Sequence, residues 1–146
     1  MDMSPLPAGS EARKSVPELT RVLVIDDQPH VRATISVALQ ANGFDVVSVE
    51  SGRLGLMELK KSSFDLAIVD IYMPEMDGVK FIKALRAGAP TLPVIAMSGV
   101  FLGASERTVL DLLPMAPDLS GVTCLKKPFR ARELLQTVQK VISVPA

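Results

Sequence analysis

Leu66-Ala67-Ile68-Val69 runs apolar without a break and ends on a carboxylate, Asp70. A short unbroken run of this kind reads as a strand buried on both faces. The pattern recurs at Val22-Leu23-Val24-Ile25, which ends on Asp26-Asp27. It recurs again at Pro93-Val94-Ile95-Ala96-Met97, ending on Ser98-Gly99, and at Val122-Thr123-Cys124-Leu125, ending on Lys126-Lys127. Phe44 to Val49 is less uniform, with Asp45 and Ser48 interleaved, and suits the edge of a sheet. Strands covered on both faces need helices on both sides, and that requirement narrows the choice of fold.

The stretches between the strands supply those helices. Pro29 suits a first helical turn, and Val31, Ile35, Ala38 and Leu39 then form one stripe before Asn42-Gly43 ends it. A second helix is expected from about Arg53 to Lys61, with Leu54, Leu56, Met57 and Leu59 on its apolar side. A third follows Gly78 and carries Val79, Phe81, Ile82 and Leu85. Ser105 opens a fourth, carrying Val109, Leu110, Leu112 and Leu113 and broken by Pro114 and Pro117. The last has Leu134, Val138, Val141 and Ile142 on one face. Five strands alternating with five helices predict an α/β fold: a doubly wound parallel sheet, right-handed crossovers and strand order 2-1-3-4-5. Residues 1–19, rich in Pro, Gly and Ser, read as a disordered tail or linker, which leaves one domain over 20–146.

Sixteen basic and sixteen acidic residues cancel, so the chain lacks the electrostatic footprint of a nucleic-acid or membrane binder. No apolar run reaches the length of a membrane span. A single cysteine, Cys124, forms no internal disulfide, in keeping with a cytoplasmic protein, and without Cys/His clusters a structural zinc site is not expected.

In strand order 2-1-3-4-5 the ligand crevice opens between the first and third strands at their carboxyl ends. Those strands deliver Asp26-Asp27 and Asp70 to one place. Unit charges ~4 Å apart repel by roughly 4 kcal/mol at an effective dielectric of ~20, so such a cluster calls for a cation. An open all-oxygen site suits Mg²⁺, which keeps several waters and shares substrate phosphate. The Ser98 hydroxyl and Lys127 add donors for phosphoryl oxygens. Carboxylate, Mg²⁺, lysine and hydroxyl together are what forming an aspartyl phosphate requires.

Ile25-Asp26-Asp27, then Asp70 with Met73-Pro74, Met76 and Asp77-Gly78, then Ser98-Gly99, then Lys127-Pro128-Phe129 occur in that order at successive strand ends. Over about residues 20 to 143 the chain resembles the CheY-like receiver domains of response regulators in two-component signalling. The resemblance implies a flavodoxin-like fold and a phosphoacceptor at Asp70. It implies a Mg²⁺ site made by Asp27, Asp70, the backbone carbonyl of Tyr72 and, partly through water, Asp26. Ser98 would sense the phosphoryl group, Lys127 would pair with it, and the Lys127–Pro128 peptide would be cis. The donor would be a histidine kinase or a histidine phosphotransfer protein. Such a domain is not an enzyme in the usual sense, since it catalyses only its own phosphorylation and dephosphorylation.

The family's aromatic switch residue, three positions before the lysine, is here Cys124, which reads as inert buried packing. The Ser98 half of the switch is kept. The segment between Ser98 and Lys127 is longer than one loop, helix and strand require, and its apolar stretch makes residues 100–124 a candidate partner or self-association surface. His30 reads as exposed, Lys126 as a solvated neighbour, Asp77-Gly78 as turn and helix start, and Met73 and Met76 as packing. The chain reads as a stand-alone receiver or as a fragment of a longer protein. The alternative function is a phosphorylation-independent interaction module with a vestigial pocket. A flavin carrier on the same architecture is disfavoured, because no Ser/Thr/Gly-rich phosphate loop follows the first strand.

Overall fold

The computed structural model describes residues 20–73, 76–98 and 121–143. Strands β1 (Arg21–Ile25), β2 (Asp45–Val49), β3 (Leu66–Asp70), β4 (Val94–Ser98) and β5 (Val122–Lys126) form one parallel sheet in the order β2-β1-β3-β4-β5. This is the order read from the sequence. Helices α1 (Pro29–Gln40), α2 (Gly52–Lys61), α3 (Gly78–Gly88) and α4 (Ala131–Ser143) connect and cover it. The helix expected from Ser105 and the expected tail at residues 1–19 lie outside the described residues. Between β3 and α3, Tyr72–Met73 pairs antiparallel with Met76–Asp77, and the helix then starts at Gly78.

The three central strands are apolar throughout because both of their faces are covered. Leu23, Ile25, Ala67, Val69, Val94 and Ala96 meet Phe81, Ile82 and Leu85 of α3 on one face, with Leu56 and Leu59 of α2 packed alongside. Val22, Val24, Ile68, Ile95 and Met97 meet Ile35 and Leu39 of α1 and Leu134 and Val138 of α4 on the other. The outer strands β2 and β5 are only partly covered, which explains their mixed composition. Two residues assigned to the core stripes lie outside it: Met57 and Ile142 are exposed. Leu56 and Leu59 already fill the face that α2 turns inward, and the covered part of α4 ends at Val141.

Local chemistry sets the helix ends. Pro29 occupies the first turn of α1, where its missing N–H costs nothing. Gly43, with φ +89°, takes the left-handed conformation that turns the chain from α1 into β2. Ser51 caps α2 by accepting a hydrogen bond from Leu54 N at 3.2 Å. Gly55 lets α2 lie directly on β1, since a Cβ there would stand 2.4 Å from Ile25 Cδ1. At the amino end of β1, Arg21 donates from Nε to Asp45 Oδ2 at 3.0 Å and from Nη1 to Ser63 O at 3.1 Å. That clasp lies at the far end of the sheet from the carboxyl edge, where the polar residues gather.

Candidate functional site at the carboxyl edge of the sheet

Parallel pairing aligns the strand ends, so Asp26-Asp27 after β1, Asp70 at the end of β3, Ser98 at the end of β4 and Lys127 just after β5 share one edge. The backbone ties this edge together. Ile71 N donates to Met97 O at 3.0 Å, and Lys127 N donates to Ser98 O at 2.6 Å. The Lys127–Pro128 peptide is cis, as the family resemblance implies.

Carboxylate oxygens of Asp26, Asp27 and Asp70 all lie within 4.8 Å of one another. Asp26 is fully buried, at 0% exposure, Asp70 is nearly so, and Asp27 is half-buried. Charges this close and this dry need compensation. Lys127 supplies part of it, with Nζ 2.7 Å from Asp26 Oδ2 and 3.3 Å from Asp70 Oδ2. Its side chain is only 14% exposed, so these pairs are weakly screened. Among the described residues one ammonium faces three carboxylates, which leaves the cluster net negative, and its donor set is all oxygen. That composition fits a hard divalent cation such as Mg²⁺.

Asp26 is bound at every polar atom. Its N–H donates to Val49 O at 3.1 Å, Oδ1 accepts from Gln28 N at 2.9 Å, Oδ2 accepts from Lys127, and its carbonyl accepts from Arg32 Nη1 at 2.7 Å. Both carboxylate oxygens are therefore engaged, and the more open Asp27 faces fewer such claims. Ser98 presents the opposite situation. It is fully buried, and its Oγ has no hydrogen-bond partner among the described residues. Leaving a buried hydroxyl unpaired is costly, which makes the Ser98 Oγ–H a candidate donor to a group bound at this edge.

Lys126 is exposed and Lys127 turns inward, and His30 is exposed at the start of α1. A groove of about 360 Å³ runs between Gln28, His30 and Thr34 of the α1 end and Lys127, Pro128 and Phe129. Sequence reasoning missed this groove, because one wall spans Gln28 to Thr34, the other Lys127 to Phe129, and each reads as local structure. Tyr72 follows Asp70 by two positions, in the short antiparallel pair. Of the candidate surface at residues 100–124, the part from 100 to 120 lies outside the described residues.

Cys124 departs from its expected burial and is exposed: it alternates with Leu125, which packs with Leu134 and Val138 of α4, and so points to the opposite face of the outer strand β5. The surrounding protein still desolvates the sulfur enough to push the thiol above its ordinary pKa. It is thus a protonated thiol at neutral pH, not an activated one. Alkylation by iodoacetamide should be slow near neutrality and accelerate with a pH midpoint above that of free cysteine. A midpoint at or below the free value would mark an activated thiol.

A doubly wound α/β domain with an acidic pocket at its topological switch point is thereby defined. Residues 22–139 match the response regulator receiver domain, and the chain belongs to that family. It is 31% identical over 124 residues to the chemotaxis protein CheY of Bacillus subtilis, covering 84% of this chain and 98% of that one. It is 35% identical over 120 residues to the response regulator protein FleR of Pseudomonas aeruginosa, covering 82% of this chain and 24% of FleR. The structure of the chemotaxis response regulator CheY4 of Vibrio cholerae superposes with a TM-score of 0.71 at 28% identity, covering 85% of this chain and 99% of CheY4. The chain thus spans nearly all of the CheY proteins but about a quarter of FleR. Among the described residues no helix is long and apolar enough to cross a membrane.

Proposed function

We propose that the chain is a phosphoryl-accepting switch in which Asp70 takes a phosphoryl group from the phosphohistidine of a histidine kinase or histidine phosphotransfer protein. The observation that carries this reading is the convergence of Asp26, Asp27 and Asp70 within 4.8 Å, with Lys127 bridging two of them. An oxygen of Asp70 forms the new O–P bond as the P–N bond of the donor breaks, and the donor imidazole keeps the electron pair. Asp27, Asp70 and the Tyr72 carbonyl would hold Mg²⁺, and Asp26, whose carboxylate oxygens already accept from Gln28 N and Lys127, would contribute through water. When bound, Mg²⁺ neutralises charge on the phosphoryl oxygens.

Lys127 is poised to exchange its Asp70 contact at 3.3 Å for a phosphoryl oxygen while keeping Asp26 at 2.7 Å. Ser98 donates its unpartnered Oγ–H to the phosphoryl group, and this added bond biases a two-state equilibrium of the segment after β4. Residues 100–124 carry the change to a protein partner or a second copy of the chain. The setting is the cytoplasm. A phosphorylation-independent module is the weaker reading, because it leaves the buried Ser98 hydroxyl and the surplus negative charge without a purpose.

The test is intact mass after incubation with acetyl phosphate, with and without Mg²⁺. A Mg²⁺-dependent gain of one phosphoryl group is expected. No gain, together with no heat of Mg²⁺ binding, would favour the module.

A further inference from the structure

We propose that Arg32 is a positioning residue for the acidic pocket: its guanidinium holds the Asp26 carbonyl and so aims Asp27 at the bound cation. This inference rests on the reading of Asp26, Asp27 and Asp70 as a divalent-cation site.

Three of the four hydrogen bonds at Asp26 arise from the sheet, the turn into α1 and Lys127. The fourth comes from a side chain six positions away. Arg32 Nη1 donates to Asp26 O at 2.7 Å, a short charge-assisted bond. Arg32 is itself fixed, because its backbone N donates to Gln28 O at 3.1 Å in the first turn of α1 and its side chain is half-buried. The carbonyl of Asp26 and the N–H of Asp27 belong to one rigid peptide plane. Pinning that oxygen fixes the rotation of the plane, and with it the direction in which the Asp27 side chain leaves the backbone. Asp26 needs no such help, since its carboxylate is anchored at both oxygens. Asp27, the half-buried member, is the carboxylate whose aim depends on the plane before it.

Arg32 also brings a positive charge near the pocket, and this second effect has the opposite sign. Positioning strengthens cation binding, whereas a nearby cation weakens it. The direction of change in a variant therefore separates the two.

The experiment is calorimetric titration of the full chain with Mg²⁺ for the parent, Arg32→Met, Arg32→Lys and the control Asp27→Asn, with melting temperatures measured without metal. Arg32→Met is expected to weaken Mg²⁺ binding about tenfold or more, the usual scale for a group that orients a metal ligand. Arg32→Lys, which keeps a charged donor, should recover most of it, and Asp27→Asn should lose more than Arg32→Met. Unchanged or tighter binding by a folded Arg32→Met would overturn the inference, and so would a lowered melting temperature with unchanged affinity. If Arg32→Met does not fold, Arg32→Gln makes the same comparison. Failure of the parent itself to bind Mg²⁺ would overturn the cation-site reading and this inference with it, an outcome distinct from a parent that binds and a variant that binds equally well.

Discussion

Asp70→Asn is expected to abolish labelling by acetyl phosphate while leaving the protein folded. The amide has nearly the shape of the carboxylate but is no nucleophile, so the O–P bond cannot form. The fold should survive for a structural reason. Lys127 keeps its closer partner, Asp26 Oδ2 at 2.7 Å, and loses only the longer contact at 3.3 Å. Removing one of three crowded carboxylates also relieves repulsion, so the melting temperature should hold or rise in the absence of metal. Asp27→Asn is the informative companion. It should weaken Mg²⁺ binding and slow labelling but leave an acceptor in place. Measured by intact mass, full loss in Asp70→Asn and slowed gain in Asp27→Asn separate acceptor from ligand. Persistent labelling of Asp70→Asn would move the acceptor to a neighbouring carboxylate.

The strand order and the gathering of polar groups at one edge were legible because β1, β3 and β4 are buried on both faces and therefore apolar without a break. Each run stops where the chain leaves the core, so the next polar residue marks the rim. Legibility fell where cover is one-sided. Cys124 on β5 sits in an apolar-looking run, yet an edge strand exposes what a central one would bury. Met57 and Ile142 match a helical period, but a period does not say how wide the covered stripe is or at which turn it ends. The Arg32 bond was invisible for a different reason. Its acceptor is a backbone carbonyl, which every residue has, so no pattern of residue types signals it. Lys127 was expected as a phosphoryl partner, and the sequence could not reveal that its nearer contact is Asp26, 101 positions away.

That nearer contact leads to a large expected effect on stability. Lys127→Met keeps most of the apolar stem of the side chain and removes its charge. It leaves Asp26 and Asp70, both nearly free of solvent, without their ammonium. Breaking a buried pair from one side costs about 3–5 kcal/mol, because the stranded charge loses its partner without regaining water. The variant should therefore unfold at markedly lower urea concentration than the parent in metal-free buffer. If the cation site is as proposed, lysine and a divalent cation would share Asp26 and Asp70, so Mg²⁺ should restore more stability to the variant than it adds to the parent. Urea titrations of both proteins with and without Mg²⁺ test this directly. Equal midpoints without metal would mean that Lys127 does not carry the burial of these two carboxylates. A variant that Mg²⁺ cannot rescue would mean that the lysine and the cation do not share them.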